Sequence, residues 1–253
     1  MRILVSIDDT DTMKMDDVDV RGTGELAALI AQAIEDRNWG KCEPITRHQL
    51  LIHPDIPYTS HNSSMCFAAD IDKRYLQPFI AFAGDFLSCE STPDSDPGLC
   101  VAVADRISRP GRLISFGYMA KNCVLTKEEA YSMAESLNIH LSEHGGTGQG
   151  VIGALAGAGL RFGGNDGRFR GKLKIKAENN MITAGGICSQ AKIDMVKCLE
   201  DGILLQENEM VILGDAVKPV LLYGKSVLPV YEINNTGAQN LWQTYSKRQL
   251  KDF

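Results

Sequence analysis

The sequence lacks the features that mark membrane, secreted and general nucleic-acid-binding proteins. None of its 253 residues belong to an apolar run of 18, so no membrane-spanning helix is expected. Basic residues do not dominate: 26 lysines and arginines against 32 aspartates and glutamates give a net charge of −6, which argues against a general nucleic-acid binder. Because Asp8 follows the N-terminus so closely, a signal peptide is not expected either.

Paired cysteines, repeats and low-complexity linkers are also missing. The seven cysteines are scattered, odd in number and without a C-x-x-C pair, which favours reduced thiols in a cytoplasmic protein over a disulfide framework. An apolar content of 44% is enough to bury a sizeable core. The chain is therefore expected to form one compact unit, either a single large domain or two tightly joined lobes.

The first eleven residues hold the densest chemistry. An apolar strand, Met1–Leu4, leads into the carboxylates of Asp8, Asp9 and Asp11. Crowded carboxylates repel one another unless a cation lies among them, and Mg²⁺ typically takes one or two carboxylates, several waters and a nucleotide's phosphates. Strand ends of α/β sheets are also common ligand sites. A magnesium site is one interpretation, and a solvated acidic turn is the alternative.

A glycine-rich segment follows this turn. Gly22, Thr23 and Gly24 precede a segment, 25–34, whose apolar residues recur with helical spacing. Thr23 is the predicted N-cap. Because glycines before a helix N-terminus expose backbone N–H groups that bind phosphate, a metal and a phosphate site could share this region. An ordinary capped helix is the competing interpretation.

A second glycine-rich loop, 145–150, contains Gly146, Thr147, Gly148 and Gly150. A dinucleotide fingerprint needs a strand directly before the glycines, whereas a helix is predicted upstream of this loop. No Lys-Ser/Thr pair follows the glycines, which excludes a Walker loop. Binding of a nucleotide's phosphates is the favoured interpretation. Tight turns and close helix packing are the alternative.

A basic segment follows the second loop. Its six basic residues are Arg161, Arg168, Arg170, Lys172, Lys174 and Lys176. On a predicted strand, 172–177, the three lysines would share one face. The segment could line a groove for an anionic substrate, or it could protect an exposed edge strand. Arg168 is the preferred candidate for neutralising charge on a transferred phosphoryl group, with Arg170 beside it.

The remaining patterns predict a mixed α+β fold. Strands are expected at 44–52, 64–71, 99–104, 210–213 and 217–223, and helices at 75–87, 127–137 and 151–160. Thr126 and Glu129 form a capping-box pattern before the second of these helices. The Gly/Ala-rich third helix must pack closely against a neighbour. The last forty residues could form a final helix or mediate self-association.

Four sequence blocks together resemble one family, the archaeal tRNA agmatinylcytidine synthetases. Ser6–Asp11 resembles its G-I-D-D-T-D-S opening, and His53–Tyr58 resembles its N-P-N-(I/V)-P-(W/Y) element. Asp96–Leu99 resembles its N-P-G segment, and Gly146–Ala156 resembles its G-T-x-x-G-(L/V)-I-G-A-L-A run. The blocks keep the family's order and span roughly the first 170 residues.

The resemblance implies an ATP-dependent kinase-like domain. It implies a kinase-like α/β lobe, built mainly from 1–65 and 140–200, closely joined to a smaller, ferredoxin-like α+β lobe. Asp8, Asp9 and Asp11 would then hold Mg²⁺, and Thr23 would be the counterpart of the family's autophosphorylated threonine. In the family, phosphoryl transfer activates a base carbonyl so that an amine can replace the phosphate.

Departures from the family concern the substrate. A K-T-R-G-N stretch follows the proline element in the family, but residues 59–62 here contain neither Lys nor Arg. The family's C-terminal oligonucleotide-binding barrel and zinc ribbon have no counterpart before Phe253, so the parts that grip tRNA are expected to be absent. A stand-alone catalytic half is the resulting interpretation.

Three functions remain open. The first is an ATP- and Mg²⁺-dependent phosphoryl-transfer enzyme with a small anionic or nucleotide-like acceptor, in which Asp8, Asp9 and Asp11 hold the metal. The second is tRNA cytidine modification with the RNA held by a separate protein or by the basic segment. The third is a non-catalytic nucleotide- or metabolite-binding module.

Overall fold

The computed structural model describes residues 1–11, 21–56, 62–171, 173–215, 217–233, 241–251 and 253. It confirms the predicted mixed α+β class. The chain divides into two compact units, Met1–Gly163 and Gly164–Phe253. This division falls inside the segment 140–200 that the sequence assigns to one catalytic lobe, and the extent of such a lobe stays a prediction.

The first unit is a sheet with helices on both faces. Its described elements are β1 (Arg2–Asp8), α1 (Thr23–Asp36), β2 (Gly40–Cys42), β3 (Thr46–Gln49), β4 (Ser63–Ile71), α2 (Leu76–Glu90), β5 (Gly98–Val103), α3 (Pro110–Ala120), α4 (Lys127–Ser136), β6 (His140–Glu143) and α5 (Gly150–Gly163). Short 3₁₀ segments occupy Lys73–Tyr75 and Ala104–Arg106. The strands are antiparallel in the order β6-β5-β1-β4-β3, and β2 also pairs with β4.

Strand β1 separates two apolar cores, because alternate side chains of a strand point to opposite faces. Ile3, Val5 and Ile7 pack in a core with α1 and α2. Leu4 packs in the other core with residues of α3, α4 and α5, including Phe116. Residues Ile3–Asp8 are consequently all buried, and β1 ends at the buried carboxyl group of Asp8.

Helix α5 lies unusually close to the strands beneath it. A Cβ on Gly150 would overlap the backbone at Asp96, and a Cβ on Gly157 would lie 2.6 Å from Ser6 Oγ and closer still to Ser64 Oγ. Those two serine hydroxyls form a buried hydrogen bond of 3.1 Å under the helix. The prediction that this Gly/Ala helix packs closely against a neighbour is therefore confirmed.

The capping box predicted for the 127–137 helix is also present. Thr126 Oγ1 accepts the N–H of Glu129 at 3.2 Å, and Glu129 Oε2 accepts the N–H of Thr126 at 2.8 Å. Both bonds are local in sequence, which explains why four residues suffice to predict them.

The strand predicted at 172–177 is wrong. Lys172 lies outside the described residues, and residues 173–177 belong to no strand. The expected alternation of exposure does occur, with Lys174 and Lys176 exposed between half-buried neighbours. However, the N–H and C=O of Lys176 bond to the side chain of Gln190 at 2.8 and 3.2 Å rather than to a neighbouring strand.

The second unit contains a smaller mixed sheet and one described helix. Its elements are β7 (Arg168–Phe169), β8 (Met181–Thr183), α6 (Ala184–Ala191), β9 (Met195–Cys198), β10 (Met210–Ile212), β11 (Val220–Leu222), β12 (Lys225–Ile233) and β13 (Leu241–Thr244). The order is β7-β11-β12-β13-β10-β8, with β9 parallel to β12. Fully buried Trp242 lies in its core and donates to Glu209 at 3.0 Å.

The sequence left open that the last forty residues form a final helix. Where the structure describes these residues, they form β11 to β13 and a terminal turn instead. Across the described ranges, no helix combines the length and apolar character needed to cross a membrane.

A glycine substitution tests the close packing of α5. We expect Gly159→Ala to destabilise the protein by about 1–3 kcal/mol, because a Cβ there would overlap the carbonyl oxygen of Leu113 in α3. Gly111→Ala is the matched control, since a Cβ at Gly111 meets no atom within 4 Å and should be neutral or slightly stabilising. Urea unfolding of both variants measures the difference. Equal stabilities would contradict the packing described here.

Candidate functional site

One cavity of the first unit, with a volume of about 270 Å³, opens where β1 ends. Its polar side carries the predicted acidic turn and the first glycine segment. The described residues on that side are Asp8, Asp9, Asp11, Gly22, Thr23, Gly24, Arg47, Asp55, Asn62, Ser63, Gln149, Gly150 and Gly153. The apolar side consists of Leu50, Ile56, Met65, Ala120, Cys123, Val124, Leu125 and Ile152.

Asp8 is the most deeply placed carboxylate of the cavity. It is the last residue of β1 and only 8% exposed. Its side chain fits against α5 because position 153 is glycine, where a Cβ would overlap Asp8 Oδ2. Burial, followed by the charges of Asp9 and Asp11, raises the pKa of Asp8 to about 8. The chain thus buries a carboxyl group at high cost to its ionised form.

Asp9 and Asp11 extend this acidic turn. Asp9 has a φ of +54°, a left-handed conformation that Asp tolerates better than most residues. Burial, followed by the charges of Asp96 and Asp11, raises the pKa of Asp9 to about 6. Burial also raises the pKa of Asp11. Since all three shifts disfavour the ionised form, a bound cation would stabilise the turn.

Thr23 is not the N-cap that the sequence predicts. Gly22 occupies that position without a side-chain cap bond, and Thr23 is the first residue of α1. The hydroxyl of Thr23 instead accepts a buried hydrogen bond of 3.0 Å from Thr10. This bond ties the acidic turn to the start of α1, so carboxylates and a helix N-terminus lie side by side as expected.

Arg47 is a site residue that the sequence patterns did not single out. It supplies the single cationic side chain among the described residues that line the cavity. Its Nε donates to Ser63 Oγ at 2.9 Å across β3 and β4. The available signal was the alternation within β3, where buried Thr46 and His48 place Arg47 on the opposite face.

The second glycine-rich loop is only partly at the cavity. Gln149 and Gly150 line it, whereas Thr147 and Gly148 bond to the carboxylate of Asp96. Asp96 accepts from the N–H of Thr147, from the hydroxyl of Thr147 at 2.9 Å and from the N–H of Gly148 at 3.1 Å. The donors predicted to bind phosphate therefore bind a carboxylate of the protein itself.

The described residues of the predicted basic segment 161–176 differ in exposure. Arg161 is buried in α5, where it donates to Glu43 at 2.8 Å and to Thr46 at 3.2 Å. Arg161 is thus paired within the first unit, and the role of the basic segment stays a prediction. Arg168 lies in β7 of the second unit, and burial lowers its pKa. Its predicted role in neutralising phosphoryl charge stays a prediction.

The acidic turn is suited to a metal ion that takes only some of its ligands from the protein. Among the described residues, no three His, Cys, Asp or Glu side chains are arranged to ligate one ion. The three carboxylates nevertheless line one cavity, and the charge of Asp11 raises the pKa of both Asp8 and Asp9. This arrangement fits Mg²⁺, which commonly takes one or two carboxylates and completes its shell with waters and phosphates.

Comparison with known proteins gives structural matches only. No protein-family model matches the sequence, and no curated protein matches it. In structure, the chain is similar to apo TiaS, a tRNA agmatidine synthetase, with 26% identity and a TM-score of 0.52. The match covers 63% of this chain and 35% of TiaS. The predicted family resemblance is confirmed.

Two further solved structures give the same result. A complex of TiaS with tRNA and ATP matches with 26% identity and a TM-score of 0.53, and a tRNA fluorescent labeling enzyme matches with 27% identity and the same score. Each match covers 63% of this chain and 36% of the other. The chain therefore spans about a third of these proteins and matches an N-terminal part of TiaS, without its C-terminal domains.

The raised pKa of Asp8 predicts a distinctive pH dependence of stability. A carboxyl group whose pKa is higher in the folded than in the unfolded protein does not lower stability at pH values below its unfolded pKa, near 4. The folded state loses stability as the pH rises from there towards the folded pKa of about 8. Asp8→Asn removes this loss. We therefore compare the free energy of unfolding of the variant with that of wild type at each pH. The difference should favour the variant more at pH 9 than at pH 5, by about 1 kcal/mol or more, which corresponds to roughly 2–4 °C in Tm.

Thermal unfolding at the two pH values measures this effect in the metal-free protein. Asp105→Asn is the control, because Asp105 is exposed and lies far along the sheet from Asp8. Asp8 pairs with Gly98 at the start of β5, whereas Asp105 follows the other end of that strand. Its difference from wild type should not change with pH. A pH-independent difference for Asp8→Asn would show that the carboxyl group is not buried as described.

Proposed function

We propose that the chain binds ATP with Mg²⁺ in this cavity and transfers a phosphoryl group to an acceptor carbonyl or hydroxyl. One observation carries the proposal: the cavity brings together a buried acidic turn, the glycine-flanked start of α1 and the guanidinium of Arg47. Carboxylates alone would repel a triphosphate, whereas carboxylates with a cation and a helix N-terminus are suited to hold one.

The structural matches support a nucleotide as the ligand. Solved complexes of TiaS contain tRNA and ATP, or tRNA, AMPCPP and agmatine. The acidic turn of this chain lies in the part that the family resemblance places in the ATP-dependent domain. We infer that the cavity has kept nucleotide binding.

The side chains of the cavity divide the work of binding. One or two carboxylates among Asp8, Asp9 and Asp11 would hold the metal, which supplies positive charge to the phosphates and lowers the cost of ionising the turn. The N–H groups at Gly22, Thr23 and Gly24 would face phosphate oxygens together with the positive end of α1.

Arg47 is suited to the charge that develops during transfer. Its guanidinium lines the same cavity and is oriented by the bond from its Nε to Ser63 Oγ, so it would be placed to contact phosphate oxygens. The apolar side of the cavity, which includes Leu50 and Leu125, would exclude water from the reacting groups and contact an uncharged part of the nucleotide or acceptor.

Modification of a tRNA cytidine is a second candidate, favoured by the similarity to a TiaS–tRNA complex. The net charge of −6 and the absence of Lys and Arg from residues 59–62 oppose tight RNA binding by this chain alone. Under this alternative a separate protein would hold the RNA. Binding of tRNA that weakens steeply with salt would favour it over a small acceptor.

Calorimetric titration of Mg·ATP into wild type and Asp9→Asn tests the proposal. Because Asp9 lines the cavity and its neutral amide is a poor magnesium ligand, we expect at least about tenfold weaker binding by the variant. Wild type in EDTA should also lose affinity.

The matched control is Asp105→Asn, which makes the same chemical change at an exposed residue beyond the opposite end of the sheet. It should bind Mg·ATP as wild type does. Binding that is unaffected by Asp9→Asn, or no binding at millimolar ATP, would contradict the proposal. Magnesium-dependent ATP consumption then separates an enzyme from a binding module.

A further inference from the structure

The loop Gly146–Gly148 is an anion-binding turn whose donors are already occupied. Gly146 and Gly148 have φ values of +53° and +75°, which turn successive N–H groups towards one point. That point is the carboxylate of Asp96, which accepts the N–H groups of Thr147 and Gly148 and the Thr147 hydroxyl. A Cβ on Gly146 would overlap Asp96 Oδ1, so the contact depends on glycine there.

A cation reinforces the anion-binding character of this loop. Lys127 Nζ donates to the carbonyl of Thr147 at 2.6 Å and to Glu143 at 2.8 Å. It would lie 2.9 Å from a Cβ on Gly148. Two N–H groups, one hydroxyl and an ammonium group thus converge on the loop, and its anionic partners, Asp96 and Glu143, both belong to the chain.

Asp96 also lies next to the acidic turn. Its carbonyl accepts the N–H of Gly150, a loop residue that lines the cavity, at 3.0 Å. A Cβ on Gly150 would lie 3.0 Å from the carbonyl oxygen of Asp8. Through Gly150, the backbone of Asp96 is thus one hydrogen bond away from a residue that packs against Asp8. A cation bound at the turn would therefore attract Asp96 as well.

We propose that Asp96 is a positioning residue that closes the Gly146–Gly148 loop to phosphate in the ligand-free protein and releases it when a cation binds at the acidic turn. The proposal rests on the proposed function for the identity of that cation. A phosphate needs the same N–H groups and is repelled by the same carboxylate, so the two anions compete. Metal and phosphate binding are then positively coupled, because the metal removes the competitor.

Binding of inorganic tripolyphosphate without magnesium tests this competition directly. Asp96→Asn keeps an acceptor oxygen for the loop but removes the charge, and Asp96→Ala removes both. In EDTA we expect each variant to bind tripolyphosphate about tenfold more tightly than wild type or better. The ratio of the affinities with and without magnesium should fall by a similar factor.

If Asp96 has only a structural role, its replacement should weaken tripolyphosphate binding instead of strengthening it. Loss of loop order would weaken binding with and without magnesium alike and would lower Tm. Unchanged or weaker magnesium-free binding by Asp96→Asn would therefore overturn the proposal, and this variant decides the question if Asp96→Ala does not fold. Asp105→Asn is again the control for removal of one negative charge and should bind tripolyphosphate as wild type does.

The same titrations separate this inference from the proposed function. Wild type that does not bind Mg·ATP, together with tighter tripolyphosphate binding by the Asp96 variants, would refute the nucleotide assignment and uphold the closed loop. Wild type that binds Mg·ATP, with no gain in the variants, would uphold the nucleotide assignment and refute the role of Asp96.

Discussion

The close approach of helix α5 to the ends of β1 and β5 is the constraint on which the rest of the first unit depends. Gly150, Gly153 and Gly157 each stand where a Cβ would overlap the neighbouring strands or their side chains. Without side chains in the way, the helix covers Asp8 and removes its carboxyl group from water. The same contact places the loop before α5 against Asp96, so packing and electrostatics share one origin.

Burying carboxylates in this way is unfavourable by itself. The described lining of the cavity has four aspartates, Asp8, Asp9, Asp11 and Asp55, against the single guanidinium of Arg47. An isolated charge in such surroundings takes up a proton instead, and the raised pKa values of Asp8 and Asp9 show this tendency. Under the proposed function, a cation bound at the turn would offset this cost, which is already present in the fold.

Local patterns predicted the parts of the molecule that depend on near neighbours. The capping box of α4 involves residues three apart. The apolar spacing of α1 corresponds to the burial of Leu26, Ile30 and Ile34, although Leu29 is exposed. The acidic turn was predicted because carboxylates crowded along the chain are also crowded in space.

The features that could not be predicted from the sequence depend on residues that are far apart along the chain. Arg47 reaches the cavity because β3 pairs with β4, and Arg161 is buried because Glu43 and Thr46 are brought to it by the sheet. Asp96 binds a loop about fifty residues away, which no local pattern reports. The segment 173–177 shows the reverse case, in which the alternation is correct and the pairing strand is missing.

A crystal structure of the protein with Mg²⁺ and AMPCPP tests the central claim most directly. The account predicts the metal on at least one carboxylate of Asp8, Asp9 or Asp11, with phosphate oxygens at Gly22–Gly24 and within reach of Arg47. A nucleotide bound elsewhere, or a triphosphate in this cavity with no metal at the acidic turn, would contradict it.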